Sequence, residues 1–420
     1  MSTDRPALRR CIGIEPAEFA ERYWGRGLLL TPAGSAPWRF DDLLTLDGVD
    51  ELLSRRGLRT PFLRLARNGT VLSSAQFTGP AGAGAEISDQ VTDEAVLRLF
   101  EDGSTLVLQA LHRMWPPLIE FAGQLTQDLG HPVQVNAYLT PADAQGFAAH
   151  YDTHDVFVLQ LAGRKRWLIH EPVHRDPLRD QPWANRAGAV SERAGEPPLL
   201  DHVLEPGDAL YLPRGYLHSA TALGELSAHL TVGVHVLTRY ALVEALCALA
   251  AGEPELRTSL PMALDPDDLG TELRPAVQAL IRYLRAADPA EVTRLVRDRL
   301  WAGSRPQPIG PLAQSRAARS VRLGSRIRLR PGLRHALRYE GDRVLLDLPG
   351  DQLSLPAVTG PALVELLGGA PVAVGELPGI DLDDQLVLVR RLLREGLVVP
   401  VAGQAAWAPS PNGNRDRAEA

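Results

Sequence analysis

Lysine is almost missing from this sequence. Of the 44 basic residues, 43 are arginine and one, Lys165, is lysine. Arginine can replace lysine wherever only charge matters. A lone survivor is therefore either chance or a position that needs a compact ammonium instead of a planar guanidinium. Cysteine is nearly as scarce. Cys11 and Cys247 cannot form a disulfide framework, which fits a reducing cytoplasm. No apolar stretch reaches the roughly eighteen residues that a membrane helix needs. The opening MSTDRPALRRCIGIEPAEF lacks the apolar core of a secretory signal. The expectation is a soluble, cytoplasmic chain with no membrane partner. A formal net charge of −7 excludes a globally basic nucleic-acid binder, although not a local basic patch.

Glycine and proline are plentiful, at 37 and 34 residues, and favour turn-rich β structure over a helical bundle. A length of 420 residues suggests two or three domains. The first hundred or so residues read as mixed. EPAEFAERYWGRG and FDDLLTLDGVDELLSRRG have helical spacing. TPFLRLARNGTVL reads as two strands about an Asn-Gly turn, and DEAVLRLF through QDLG reads as helix, turn and longer helix up to Gly130. From His131 to about Leu237 the pattern changes to short apolar runs separated by turn residues. PVQVNAYLTP, DVFVLQLAG, RKRWLIHEP, DALYLPRG and SAHLTVGVHVL all read as strands, with Gly163 at a tight hairpin. Such a series suggests a β-barrel or double-sheet jelly roll. HRDPLRDQPWANRAGAVSERAGEPP interrupts it as a polar, Pro-rich loop. Three amphipathic helices follow beyond Thr238, then a linker, GSRPQPIGPLAQS. A last segment of strands and helices suggests a small winged-helix-like module, and the tail PSPNGNRDRAEA reads as disordered.

One constellation carries chemistry. GFAAHYDTHDVFVLQLAGRKRW contains His150 and Asp152, and EPGDALYLPRGYLHSA contains Gly207, Pro213, Gly215 and His218 in the pattern G-x5-P-x-G-x2-H. An H-x-D pair at strand spacing puts two side chains on one face. The bend at Pro213–Gly215 can present His218 from the end of the next strand. Two imidazoles and one carboxylate form the facial triad of non-haem Fe(II) oxygenases, with positions left for a 2-oxo acid and O2. Neither cysteine is near, which argues against structural zinc. His154 makes Asp152–His154 a competing pair. His150 is preferred because the residues from Asp155 onward read as barrel wall. Lys165 lies fifteen residues after His150, just past the hairpin, where an ammonium suits the distal carboxylate of a 2-oxo diacid. The alternative is a solvated hairpin tip.

These two segments resemble the JmjC-type cupin ("cupin-4") family of ribosomal-oxygenase-like protein hydroxylases. Outside the core, Phe19, Tyr23 and Trp24 resemble the family's N-terminal Phe-x3-Tyr-Trp signature, and ELRTSLP resembles its Leu-Arg…Leu-Pro segment. The resemblance implies an α+β chain: a double-stranded β-helix (JmjC/cupin jelly roll) with a helical dimerisation region and a C-terminal winged-helix-like domain. The boundaries are 1–238 for the catalytic domain with its N-terminal helices, 239–305 for the helical region, 315–408 for the winged-helix-like domain and 409–420 for the tail. It implies Fe(II) held by His150, Asp152 and His218, with 2-oxoglutarate and O2 as co-substrates. Lys165 would pair with the distal carboxylate of 2-oxoglutarate, and Asn136 and Tyr138 would line the cofactor pocket. Ser227 and His229 also fall at family positions, without an assigned role. The implied activity is hydroxylation of an Arg or His side chain, such as one in a ribosomal protein, by a homodimer.

Two other readings compete. One is a hydroxylase of a peptide natural-product precursor. The other is a non-catalytic metal-binding scaffold, against which the intact His150, Asp152, His218 and Lys165 argue. The arginines between Arg316 and Arg338 form a run without acids. They are expected to lie on a solvated face beside an acidic neighbour. The final helix opens Asp381-Leu-Asp383-Asp384, which would repel phosphate. Direct nucleic-acid binding is therefore not expected.

Overall fold

The computed structural model describes residues 4–35, 39–67, 69–84 and 86–401. Asn68 of the expected Asn-Gly turn, residues 402–408 of the last expected domain, and the tail 409–420 lie outside the described residues. The chain divides into two compact units, Met1–Leu237 and Thr238–Ala420.

The first unit is built on an eight-stranded antiparallel sheet. Its strand order is Leu29–Thr31, Ala209–Leu212, Asp155–Ala162, Ser227–Val234, Val133–Thr140, Thr105–Leu108, Leu63–Arg67 and Thr70–Val71. A second sheet orders Leu200–Leu204, Lys165–His170 and Leu217–Ala222. The large sheet is covered on both faces, and its strand Asp155–Ala162 accordingly reads as a nearly continuous apolar run, whereas Val133–Thr140 alternates. In Asp155–Ala162, Phe157 and Leu159 join the core beneath the N-terminal helices, whereas Val156 and Val158 pack with Trp167, Ile169 and Leu210 toward the second sheet. Each fully buried Phe or Leu here contributes about 2–3 kcal/mol.

The helix Pro116–Leu129 shows how the outer layer forms. Proline occupies its first turn and Gly130, at φ 75°, terminates it. Leu118, Phe121, Ala122 and Leu125 form one apolar stripe that is buried against Val135, Ala137 and Leu139 of the sheet. The other side of that sheet strand is left for Tyr138 and Thr140.

Several local expectations are corrected. The residues between the helix Asp93–Glu101 and Pro116 are more than a turn: Thr105–Leu108 is a strand in the large sheet, buried at every position. The Pro-rich interruption contains a helix, Ala187–Ala194. Its Val190 packs on Tyr151 and Leu217, which neighbour the triad residues in sequence. The linker is shorter than expected, because Pro311–Ser320 is helical. No hairpin forms at Gly163: the strands on either side of it, Asp155–Ala162 and Lys165–His170, lie in different sheets. Gly163, at φ 59°, turns the chain from one to the other, where a Cβ would overlap the Leu226 carbonyl oxygen.

The second unit contains the helices Arg239–Ala250, Leu269–Ala286 and Pro289–Ala302. It also contains a small sheet of Val372–Ala373, Arg326–Leu329 and Val398–Pro400, and a meander of Ala336–Glu340, Arg343–Leu348 and Asp351–Pro356. Ile327, Val344, Leu363, Val389 and Leu393 share its core. Within the arginine run, Arg338 pairs with Asp347 and Glu340. The helix Leu382–Arg394 is capped by Asp381, whose carboxylate accepts from the Asp384 amide at 2.8 Å.

Candidate metal centre and co-substrate cavity

The two sheets of the first unit enclose a cavity of about 380 Å³ that opens to solvent. His150, Asp152 and His218 converge on it, with one ligand atom from each lying within 4.8 Å of the other two. His218 Nε2 is 3.7 Å from Asp152 Oδ2, and the two imidazole centroids are 4.4 Å apart.

The sequence pattern finds these residues, but the local structure differs from the strand expected for H-x-D. Residues 150–154 precede the strand Asp155–Ala162 and are not part of it. His150 instead forms an isolated antiparallel bridge with His218, through backbone bonds of 3.2 and 2.8 Å. The Gly215 amide donates to the Asp152 carbonyl at 3.0 Å. Gly215 is at φ 91°, and a Cβ there would stand 2.6 Å from the His174 carbonyl oxygen, so the bend requires glycine.

Both imidazoles are oriented by their own chain. His150 Nδ1 lies 2.8 Å from the Ala148 carbonyl and His218 Nδ1 lies 3.1 Å from the Tyr216 carbonyl. With Nδ1 donating in each case, each Nε2 keeps its lone pair for a metal ion. Burial lowers His218 to about 4, helped by His150 and opposed by Asp152, so its ring is neutral at ordinary pH. Burial works against the Asp152 carboxylate, but His154, His218 and His150 outweigh it and hold the group below the usual carboxylate range. Two imidazoles and a carboxylate are the donor set that a ferrous ion takes. The competing residue His154 is placed elsewhere: its ring abuts Gly233 and meets His235 edge-on at 5.6 Å.

Lys165 opens the strand Lys165–His170 and is buried at the cavity wall. Its ammonium donates to Thr140 Oγ1 at 2.8 Å, and among the described residues no carboxylate pairs with it. Burial lowers it to about 7. A buried ammonium with one hydroxyl partner is costly unless an anion joins it. Thr140 and Thr105, whose hydroxyls are 3.1 Å apart, were not singled out by the sequence. Arg64, whose Nε is buried and without a partner, is the other cation of the cavity. Against these two, Asp152 is the one carboxylate among the lining residues. The excess of positive charge suits a dianion.

Tyr138 lines the cavity beside Phe147 and stacks on His229, with centroids 5.1 Å apart and rings 8° from parallel. Burial and the nearby Asp152 push its phenol up to about 12, so it stays protonated. His229 also meets Trp167 edge-on, and burial keeps it neutral. Asn136 lies two residues before Tyr138, outside the cavity lining. Its Oδ1 accepts from the amide of Ala110, which has a φ of 57°. Ser227 is buried and bonds Gln160 Nε2 at 2.9 Å.

Known proteins add a second line of observation. Residues 118–242 match the JmjC domain family. The chain is 31% identical over 223 residues to ribosomal oxygenase 1 of Rattus norvegicus, covering 53% of this chain and 35% of that protein. It is 28% identical over 415 residues to the bifunctional lysine-specific demethylase and histidyl-hydroxylase NO66 of Drosophila mojavensis, covering 92% of this chain and 45% of that protein. The chain thus spans less than half the length of these curated relatives. Among solved structures, the Escherichia coli ribosomal oxygenase YcfD superposes with a TM-score of 0.53 at 19% identity, covering 92% of this chain and 98% of that one. The same protein in complex with cobalt and 2-oxoglutarate superposes with a TM-score of 0.52 at 19% identity, covering 93% and 99%. At this level of identity the likeness concerns the fold, a JmjC cupin with mixed helix and sheet.

Proposed function

We propose, from the chain's membership of the ribosomal-oxygenase-like family of JmjC-domain proteins, that it is an Fe(II)- and 2-oxoglutarate-dependent oxygenase that hydroxylates an amino-acid side chain of a protein. One observation carries this reading. A two-His, one-carboxylate cluster and an anion-less buried lysine share one cavity. Iron with 2-oxoglutarate and O2 would supply the oxidising equivalents for C–H hydroxylation, with succinate and CO2 as by-products.

The roles of the chain's residues follow from where they stand. His150 and His218 offer Nε2, and Asp152 offers a carboxylate oxygen. The Ala148 and Tyr216 carbonyls keep both rings in the binding tautomer. Lys165 receives the distal carboxylate of 2-oxoglutarate, and Thr140 steadies the ammonium from behind. Tyr138, held in place by His229, borders the cofactor pocket. Asn136 supports that strand through Ala110. Phe147 and Trp183 stand near His150, with centroids 6.0 and 6.4 Å away, and border the cavity beside it.

The prime substrate is proposed to be a ribosomal protein presenting an Arg or His side chain. The relatives' names support this, since they are ribosomal oxygenases and a histidyl-hydroxylase. The proposed domains are 1–238 for catalysis, 239–305 for a helical dimerisation region and 315–408 for a winged-helix-like module. Exposed apolar residues on the helices Arg239–Ala250 and Leu269–Ala286, among them Leu242, Val243, Leu273 and Val277, support dimerisation. The acidic start of the last helix speaks against direct nucleic-acid binding. No described helix is long and apolar enough to cross a membrane, and a cytoplasmic location is proposed.

Mass spectrometry tests the function. The protein would be incubated aerobically with Fe(II), 2-oxoglutarate and ribosomal proteins. The expected result is a gain of one oxygen on a single His or Arg, absent in His218→Ala. Precursor peptides modified while ribosomal proteins are not would favour the natural-product reading.

A further inference from the structure

The segment that carries His150 and Asp152 has no strand to hold it. Something else must fix its distance from the segment that carries His218. The backbone bridge between His150 and His218 is one tie. A second lies deeper, at Asp155.

Asp155 is the first residue of the strand Asp155–Ala162, three residues after Asp152, and its side chain is fully buried. Its carboxylate accepts from Tyr211 Oη at 2.6 Å and from the Arg214 backbone amide at 3.0 Å. The Arg214 guanidinium approaches at 3.5 Å and also reaches Asp176 at 3.2 Å. Arg214 sits in the Pro213–Gly215 bend, four residues before His218. One carboxylate thus joins the roots of both ligand-bearing segments. The chain continues outward: Tyr211 Oη accepts from the Gly25 amide at 2.9 Å, and the Tyr211 ring lies against Phe19 and Trp24, with centroids 4.9 and 6.2 Å away. The N-terminal aromatic signature therefore reaches the metal centre through Tyr211 and Asp155.

Resting on the reading of the triad as a metal centre, we propose that Asp155 is a positioning residue: with Tyr211 and Arg214 it sets the separation of the His150–Asp152 segment from His218. It does not touch the cavity, because the residues that line it skip from Asp152 to Val156. An asparagine could keep the Arg214 amide on its Oδ1, but its Nδ2 would then face Tyr211 Oη, which already accepts from the Gly25 amide, and the buried hydroxyl proton would lose its acceptor.

The test measures Co(II) binding to the full chain by calorimetry and visible absorption, with thermal unfolding of the metal-free protein run beside it. Wild type, His218→Ala, Asp155→Asn and Tyr211→Phe are compared. The expected result is Co(II) affinity about tenfold weaker in Asp155→Asn, less weakened in Tyr211→Phe, with an altered visible spectrum in both. A fall in thermal midpoint with wild-type affinity and spectrum in both variants would reduce Asp155 to a fold residue and overturn the proposal. If Asp155→Asn does not fold, Tyr211→Phe decides alone, since it removes one hydroxyl and leaves the ring packed. Wild type that binds Co(II) no better than His218→Ala would overturn the metal-centre reading, and this proposal with it.

Discussion

Replacing Lys165 by methionine should move two properties in opposite directions. Burial brings its ammonium from about 10.5 down to about 7. That displacement corresponds to about 5 kcal/mol, at roughly 1.4 kcal/mol per tenfold change. The metal-free protein bears this burden with only Thr140 as partner. Methionine has similar length and no charge, so Lys165→Met should leave the metal-free protein as stable at pH 7, or about 1 kcal/mol more stable. Co-substrate binding should suffer instead. A charge-assisted bond is worth about 1.5–3 kcal/mol, and the distal carboxylate would now be buried without a counter-ion. The affinity for 2-oxoglutarate should fall by about 100-fold, read by calorimetry on Co(II)-loaded protein. The pH dependence follows with a definite sign. The folded value lies below the unfolded one, so the unfolded chain holds the extra proton between about pH 7 and 10.5. Metal-free stability therefore rises with pH through that window and is lowest below about 7, and the methionine variant loses this rise. Above about pH 7 the wild-type affinity for 2-oxoglutarate should weaken by about tenfold per pH unit as the ammonium discharges. A variant that keeps wild-type affinity, or that loses several kcal/mol without ligand, would refute the assignment of Lys165 to the co-substrate.

Three further outcomes are expected. Gly163→Ala should destabilise by about 2–4 kcal/mol in thermal or denaturant unfolding, because the residue sits at φ 59° against the Leu226 carbonyl. Gly103→Ala, at φ 91° with open space around it, should cost about 1 kcal/mol and serves as the control. Phe157→Ala removes a fully buried ring from the large sheet and should cost about 3–5 kcal/mol, measured in the same way. Asp347→Asn loosens the contacts with Arg338, Arg297 and Gln352. Although burial opposes it, these partners hold Asp347 below its ordinary value, so the wild-type advantage should be present at neutral pH and lost as pH falls below about 4.

The site was more legible in the sequence than the framework that holds it. His150, Asp152 and His218 could be read because their spacing is restrictive, and Lys165 because it is the only lysine. The strands with turn residues on both sides, such as Val133–Thr140 and Ser227–Val234, were also legible. Thr105–Leu108 was not, because a short run buried on both faces has no period to read. The strand Leu217–Ala222, which carries His218, was legible only as a strand at the bend, because its small and polar residues LHSATA give no clear apolar period. The H-x-D segment was expected on a strand, but a single bridge and buried polar ties hold it instead. Asp155, Thr140 and Gln160 left one kind of signal: polar residues in or beside runs that are otherwise apolar. What each would meet depends on partners distant in sequence, as with Tyr211 and Arg214 for Asp155 or Lys165 and Thr105 for Thr140, and one-dimensional spacing does not show it.

The central claim is that one cavity assembles a ferrous site and a 2-oxoglutarate site from these side chains. Anaerobic titration of metal-free protein with Fe(II) and 2-oxoglutarate tests it most directly, through the visible metal-to-ligand charge-transfer band. The account predicts a band in wild type that is lost in His218→Ala and weakened in Lys165→Met. A well-folded wild-type protein that shows no band, or a band that survives His218→Ala, would contradict it.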